Sequence, residues 1–224
     1  MGAICCLDDG PPIGNIPGTV EVHYFEGGKG RADPIIQMCK YFKQDVELKT
    51  HHPGSGPTSE FGTGLPQVKA DGVEMAQFGA IMRFLGVRFG FYNMRDWKTA
   101  SYCDPIVETW GDVMGAAAGV LFAPDDDARA VATEKLMDVC VKYNGLIEKT
   151  MMAHGGSYAA GSRMTIADFV LASYCGNFIR NSNNPIHAGI QEKLADTPKF
   201  KAYCDAVEST FPYLVERGPI ESPM

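Results

Sequence analysis

Apolar and polar residues alternate through TVEVHYFE, placing Val20, Val22 and Tyr24 on one face and predicting a strand of about six residues. The period then lengthens: Ile35, Met38, Cys39 and Phe42 recur at helical spacing, with Asp33 read as N-cap and Pro34 as the first helical position, where its missing N–H costs nothing. DVELKT alternates again as a second strand, and HHPGSGPTSEFGTG is a long loop of turn formers. LPQVKADGVEMAQF predicts two short strands around Asp71-Gly72, a strong hairpin signal. From Gly79 to Phe89 a helix is predicted, with Ile81, Phe84, Leu85 and Phe89 on one face. The order is β-α-β-loop-β-β-α.

After NMRDWKTASYC the strand signals stop. Asp104-Pro105 reads as a helix start, and Asp125, Asp126 and Asp127 put negative charge at the positive end of another helix, which runs to about Met152. In GSRMTIADF, Thr165 and Asp168 form a capping-box variant, with Asp where Glu or Gln is usual and Met164 placed to staple onto Phe169. Pro198 opens a last amphipathic helix. The fold class is therefore α/β plus all-α. The divisions are an arm over 1–18, an α/β domain over 19–92 and an all-helical domain over 103–216.

Composition narrows the function. The chain has 224 residues, 45% of them hydrophobic, enough for a sizeable core in one or two domains. Its net charge of −7 is spread without a basic stripe, which argues against a nucleic-acid partner. The seven cysteines show neither C-x-x-C nor zinc spacing and read as reduced cytosolic thiols. No apolar run approaches a membrane span, so the expected place is cytoplasmic. The start MGAICC adds a qualification: Gly2 suits myristoylation once Met1 is removed, and Cys5 and Cys6 suit palmitoylation, although Cys6 stands where Ser or Thr is usual. Membrane association through these lipids and an unmodified arm are both consistent with it.

HYFEGGKGRADPI, LPQVKADGVEMAQFGAIMRFL, GSRMTIADF and TPKFKAYCDAVES fall in an order and spacing that resemble a cytosolic glutathione S-transferase, from about Val20 to Leu214. The likeness is to the tyrosine-type, sigma-like classes. It implies a thioredoxin-like N-terminal domain that binds glutathione as co-substrate, followed by a helical bundle that binds a small apolar electrophile, in a homodimer without a metal.

The chemistry of the first motif follows. A thiol with a pKa near 8.5 is only a few per cent thiolate at neutral pH, and becomes a better nucleophile if its anion is stabilised. A phenol where the first strand ends, Tyr24, can donate a hydrogen bond to that sulfur without ionising itself. The Arg31 guanidinium and the helix beginning near Asp33 add positive potential. By resemblance, Leu65 and Pro66 mark a cis-proline turn whose main chain pairs with the cysteinyl residue of glutathione. Gln77 and the position now held by Phe78 would hold the γ-glutamyl carboxylate at a helix N-terminus. Asp104 would reach the γ-glutamyl amine of the neighbouring subunit, or serve only as an N-cap.

Other readings carry less. GGKG lacks the rest of a nucleotide-binding loop, and His51-His52 has no further metal ligands in sequence. Two departures from the family pattern matter more: Phe78 replaces a serine, and Gly64 stands where Gln or Asn precedes the Leu-Pro. They keep open a non-catalytic structural or interaction protein of the same fold. A glutathione-dependent isomerase is a further alternative.

Overall fold

The computed structural model describes residues 13–52 and 64–216. The alternation read at the start of the chain forms β1 (Val20–Phe25), with Val20, Val22 and Tyr24 buried as expected. β1 pairs in parallel with β2 (Val46–His51) and antiparallel with β3 (Gln67–Ala70), which pairs antiparallel with β4 (Val73–Ala76). The sheet order is β2-β1-β3-β4, so β1 is interior and its C-terminal end opens onto the helices. Asp71 and Gly72 both take positive φ, 51° and 72°, as a two-residue hairpin turn requires.

Helix α1 spans Ala32–Tyr41, two residues ahead of the expected start. Arg31, not Asp33, is its N-cap, without a side-chain cap bond. Asp33 lies inside the first turn, fully buried, and accepts a hydrogen bond from Gln37 Nε2 at 3.1 Å. The start moves because the tight loop before it already delivers the chain in helical geometry, and Pro34 still falls among the first-turn positions whose N–H groups need no helical partner. Helix α2 (Phe78–Phe89) buries Phe78, Ile81, Met82, Leu85 and Phe89, with Met82 in place of the expected Phe84.

The remaining elements are α3 (Trp97–Leu121), α4 (Asp126–His154), α5 (Ile166–Tyr174) with a π-helical extension to Ile179, α6 (His187–Lys193), α7 (Pro198–Thr210) and α8 (Pro212–Glu216). The expected helix start at Asp104-Pro105 is wrong. Asp96 caps α3 by accepting from the Thr99 N–H at 3.0 Å, and the helix runs straight through Pro105. Proline removes the hydrogen bond to Ser101, four residues back, but both residues face solvent, where water can serve the freed carbonyl. The acids read at the start of α4 are there: Asp125 is its N-cap, accepting from the Ala128 N–H at 2.8 Å, and Asp126 and Asp127 lie in its first turn. Trp110, Tyr143, Tyr174, Phe178 and Phe200 fill the centre of the helical half. A second aromatic group, Tyr41, Phe91, Phe169 and Phe211, joins that half to α1, beside a hydrogen bond from Gln37 Nε2 to Ser173 Oγ at 2.7 Å.

Candidate active site

The loop after β1 folds over the ring of Tyr24. A side chain at Gly30 would place its Cβ 2.6 Å from the Tyr24 hydroxyl, and Gly30 has a φ of 31°, so only glycine fits there. The Arg31 N–H donates to the Tyr24 hydroxyl at 3.1 Å, and Arg31 Nη2 donates to the Gly111 carbonyl on α3 at 3.2 Å. Burial pushes the Tyr24 phenol above its ordinary pKa, while the Arg31 N–H and its charge pull the other way. The net shift is upward. Tyr24 therefore stays protonated at neutral pH, and the hydroxyl that accepts from Arg31 still has a proton to donate.

Two clefts meet at Arg31. The first, about 320 Å³, is lined by Arg31, Gly64, Leu65, Pro66, Gln77, Phe78, Glu108 and Gly111 among others, bringing together most of the residues singled out in the sequence. The Leu65-Pro66 bond is cis. Gln77 takes a φ of 74°, unusual for a residue with a side chain and typical of strained functional positions. It makes no side-chain cap to α2, so the first-turn N–H groups of that helix are left for another acceptor. Phe78 is the first residue of α2 and is 8% exposed, its ring belonging both to the core and to the cleft wall. No atom of the described residues lies within 4 Å of where a Cβ on Gly64 would stand.

The second cleft, about 510 Å³, is lined by Tyr24, the loop from Phe25 to Arg31, and Met114, Gly115, Ala117, Ala118, Leu121 and Phe122 of α3 and its end. Phe25, Leu121 and Phe122 leave an exposed apolar rim. Tyr24 lines this cleft and not the first; among the described residues only Arg31 lines both. The α3 residues were missed in the sequence because a run of Gly and Ala on a helix announces no chemistry until the loop after β1 is placed opposite it.

Asp104 lies outside both linings. It is neither an N-cap nor open to the cleft: Oδ1 accepts from Arg83 Nε at 3.3 Å, and Oδ2 accepts from the Tyr92 hydroxyl at 3.0 Å. The acid in the cleft is Glu108, one helical turn further on and also missed, with Oε1 2.7 Å from Arg83 Nη2. The spacing of four residues from Asp104 was the available signal.

His51 lies 2.9 Å from His23, and His52 pairs with Glu26 at 2.8 Å. Burial pushes the Cys39, Cys103 and Cys140 thiols up to about 12, which keeps them protonated. Gly2, Cys5 and Cys6 lie outside the described residues, among which no helix is long and apolar enough to cross a membrane.

Comparison with known proteins adds an independent line. Residues 111–211 match the family described as glutathione S-transferase, C-terminal domain. Glutathione S-transferase 2 of Manduca sexta is 29% identical over 84% of this chain and 96% of its own length. Among solved structures, the monomeric Na-GST-3 of Necator americanus superposes with a TM-score of 0.71 at 22% identity, covering 92% of this chain and 100% of its own. Prostaglandin synthase D of Nilaparvata lugens gives 0.68 at 19%, over 90% and 99%. The four-stranded sheet, the following helices and the match over 111–211 agree: the chain has the fold of the glutathione S-transferases, is similar to them over most of its length, and carries their C-terminal domain.

Proposed function

We propose that this protein is a tyrosine-type, sigma-like glutathione transferase that joins glutathione to a small apolar electrophile. The observation that carries the reading is the meeting at Arg31 of a polar cleft, lined by cis-Pro66 and Gln77, with an apolar cleft lined by Tyr24. Glutathione lies in the first cleft and points its sulfur toward the junction. Leu65 offers its main chain to the cysteinyl residue, and Gln77 and the start of α2 receive the γ-glutamyl carboxylate.

Tyr24 donates its proton to the sulfur as a hydrogen bond, and the Arg31 guanidinium lowers the energy of the anion; the thiol proton leaves to solvent. The thiolate attacks the electrophilic carbon in the apolar cleft. A carbon–sulfur bond forms, and the bond to the leaving group breaks with its electron pair. A homodimer and a detoxifying role in the cytoplasm accord with the family, and Gly2, Cys5 and Cys6 extend the proposal to membrane attachment.

Phe78 and Gly64 favour a second reading, a non-catalytic protein of this fold, because each removes a polar side chain from the first cleft. Likeness to a prostaglandin synthase supports an isomerase variant of the first. Calorimetry with glutathione, then turnover of a generic aromatic halide, separates them. Binding with turnover supports the transferase. Absence of both leaves the non-catalytic reading.

A further inference from the structure

We infer that Cys175 and Cys204 are a redox lock: two thiols at rest that a hydroperoxide closes into a disulfide, fastening α7 to the extension of α5. The inference is independent of the glutathione reading, since neither residue lines either cleft.

Five cysteines among the described residues are free, and two of them meet: Cys175 Sγ lies 2.8 Å from Cys204 Sγ, both residues buried. The two are 29 positions apart, so no local spacing announces the pair. The fold makes it. Cys175 opens the π-helical extension, where the Arg180 N–H reaches back five residues to the Cys175 carbonyl at 2.8 Å. Such wide turns are rare and occur mostly where side chains must be re-aimed. This one delivers two side chains to α7. Cys175 meets Cys204, while Arg180 Nη1 donates to the Cys204 carbonyl at 3.2 Å and Arg180 Nε pairs with Glu208 at 3.1 Å. The Arg180 and Glu208 side chains are 38% and 47% exposed, so the sulfurs lie beside an ion pair that water reaches.

At rest the pair stays reduced. Burial, and after it the neighbouring sulfur, push the Cys175 thiol well above its ordinary pKa, so thiolate is scarce and oxidation is slow. The device answers sustained oxidant, not a brief pulse. Every residue of α5 is buried, whereas α7 buries Phe200, Cys204 and Val207 and exposes most of its other side chains, so Cys204 is the sulfur that an oxidant meets first. As thiolate, Cys204 attacks one oxygen of a hydroperoxide. A sulfur–oxygen bond forms, the oxygen–oxygen bond breaks, and the departing alkoxide takes up the proton that Cys204 released, leaving as alcohol. The Cys175 sulfur then attacks the resulting sulfenic acid. The disulfide forms, the sulfur–oxygen bond breaks, and hydroxide leaves with the Cys175 proton as water. Two thiols lose two electrons together, and the hydroperoxide is reduced to alcohol and water.

The test incubates the reduced full chain with tert-butyl hydroperoxide, blocks remaining thiols under denaturing conditions and maps tryptic peptides by mass spectrometry. Trypsin leaves Cys175 and Cys204 in separate peptides, each with one cysteine. The expected product is those two peptides joined, two hydrogens lighter than their sum and released by dithiothreitol. The oxidised chain should melt about 5–10 °C higher, reversibly, because the bond closes a long loop of the unfolded chain. Cys204→Ser and Cys175→Ala should each abolish both the joined peptide and the shift. Recovery of both cysteines fully blocked overturns the inference, as does either one joined to a different cysteine or ending as sulfinic acid. A joined peptide without a rise in melting temperature overturns the lock. The map of the unsubstituted protein decides even where a variant fails to fold.

Discussion

Asp168 in the helical half and Glu108 in the cleft are both carboxylates on or beside a helix start, and they are treated in opposite ways. Asp168 is wholly buried and accepts from the Ala159 and Thr165 N–H groups, each at 2.8 Å, and from the Thr165 and Tyr203 hydroxyls, each at 3.1 Å. Glu108 is exposed and has Arg83 alone among the described residues. The phenols divide likewise. Tyr143 donates to the Ile106 carbonyl and Tyr174 to Asn144 Oδ1, both at 2.8 Å, whereas the Tyr24 hydroxyl accepts from a main-chain N–H and keeps its own proton uncommitted among the described residues. Saturated polar groups hold this fold together. Unsaturated ones, placed at a cleft, are the groups available for chemistry.

The comparison breaks most visibly at Asp168. Replacing it with Ala strands two buried N–H groups and two hydroxyls, so we expect a loss of about 3–5 kcal/mol in denaturant unfolding. Glutathione affinity of the remaining folded protein should not change; a loss of affinity with unchanged stability would refute the structural role. Asp168 lines neither cleft, which makes the two readouts separable.

Tyr24→Phe is the counterpart in the cleft. It removes one hydrogen bond to a developing thiolate, about 1.5–3 kcal/mol, and turnover with an aromatic halide should fall ~10- to 100-fold with little change in glutathione affinity. Tyr143→Phe, by contrast, should cost only about 0.5–1.5 kcal/mol of stability and leave turnover alone. Equal rates in Tyr24→Phe and the parent would remove the phenol from the mechanism.

Smaller effects sharpen the contrast. Burial pushes the Asp168 carboxyl up to about 6 from an ordinary 3.8, against the pull of its donors. Between roughly pH 4 and 6 the folded chain holds a proton that the unfolded chain has released, so this group's contribution to stability falls as pH rises through that window and is level above it. Unfolding measured from pH 4 to 7 should show that slope relative to Asp168→Asn, and parallel curves would contradict it. The smallest change is expected at Gly64, where a Cβ meets nothing among the described residues. Gly64→Asn should tighten glutathione binding by a few-fold, the order of a neutral hydrogen bond of about 0.5–1.5 kcal/mol. It is a cleaner probe than Phe78→Ser, because the Phe78 ring is buried in the core and its removal costs stability as well.

Much of the fold was legible because its signals are local. Alternation gave β1, Asp71-Gly72 gave the hairpin, and Thr165 with Asp168 gave the start of α5. The errors fell where two local signals competed: Asp33 and Asp104 each precede a proline and look like caps. The loop geometry before Ala32 and the Asp96 cap before Trp97 decided the helix starts instead. The clefts were legible only in part. Leu65, Pro66, Gln77 and Phe78 belong to motifs that the chain displays in sequence, whereas Met114, Gly115, Leu121 and Phe122 acquire meaning only when α3 lies across the loop after β1.

The sequence by itself determined the order of the elements in the first ninety residues, the buried face of β1, and a phenol at the exit of that strand, because periodicity, capping and turn chemistry act over a few residues. Only the tertiary structure decided which acid faces the cleft and which has both oxygens satisfied. Asp104 and Glu108 are one turn apart on the same helix and chemically alike. Their roles separate because Tyr92 and Arg83, brought in from α2 and the segment after it, satisfy both oxygens of Asp104 and only one of Glu108. That choice depends on where other elements deliver their donors, and no spacing along α3 encodes it.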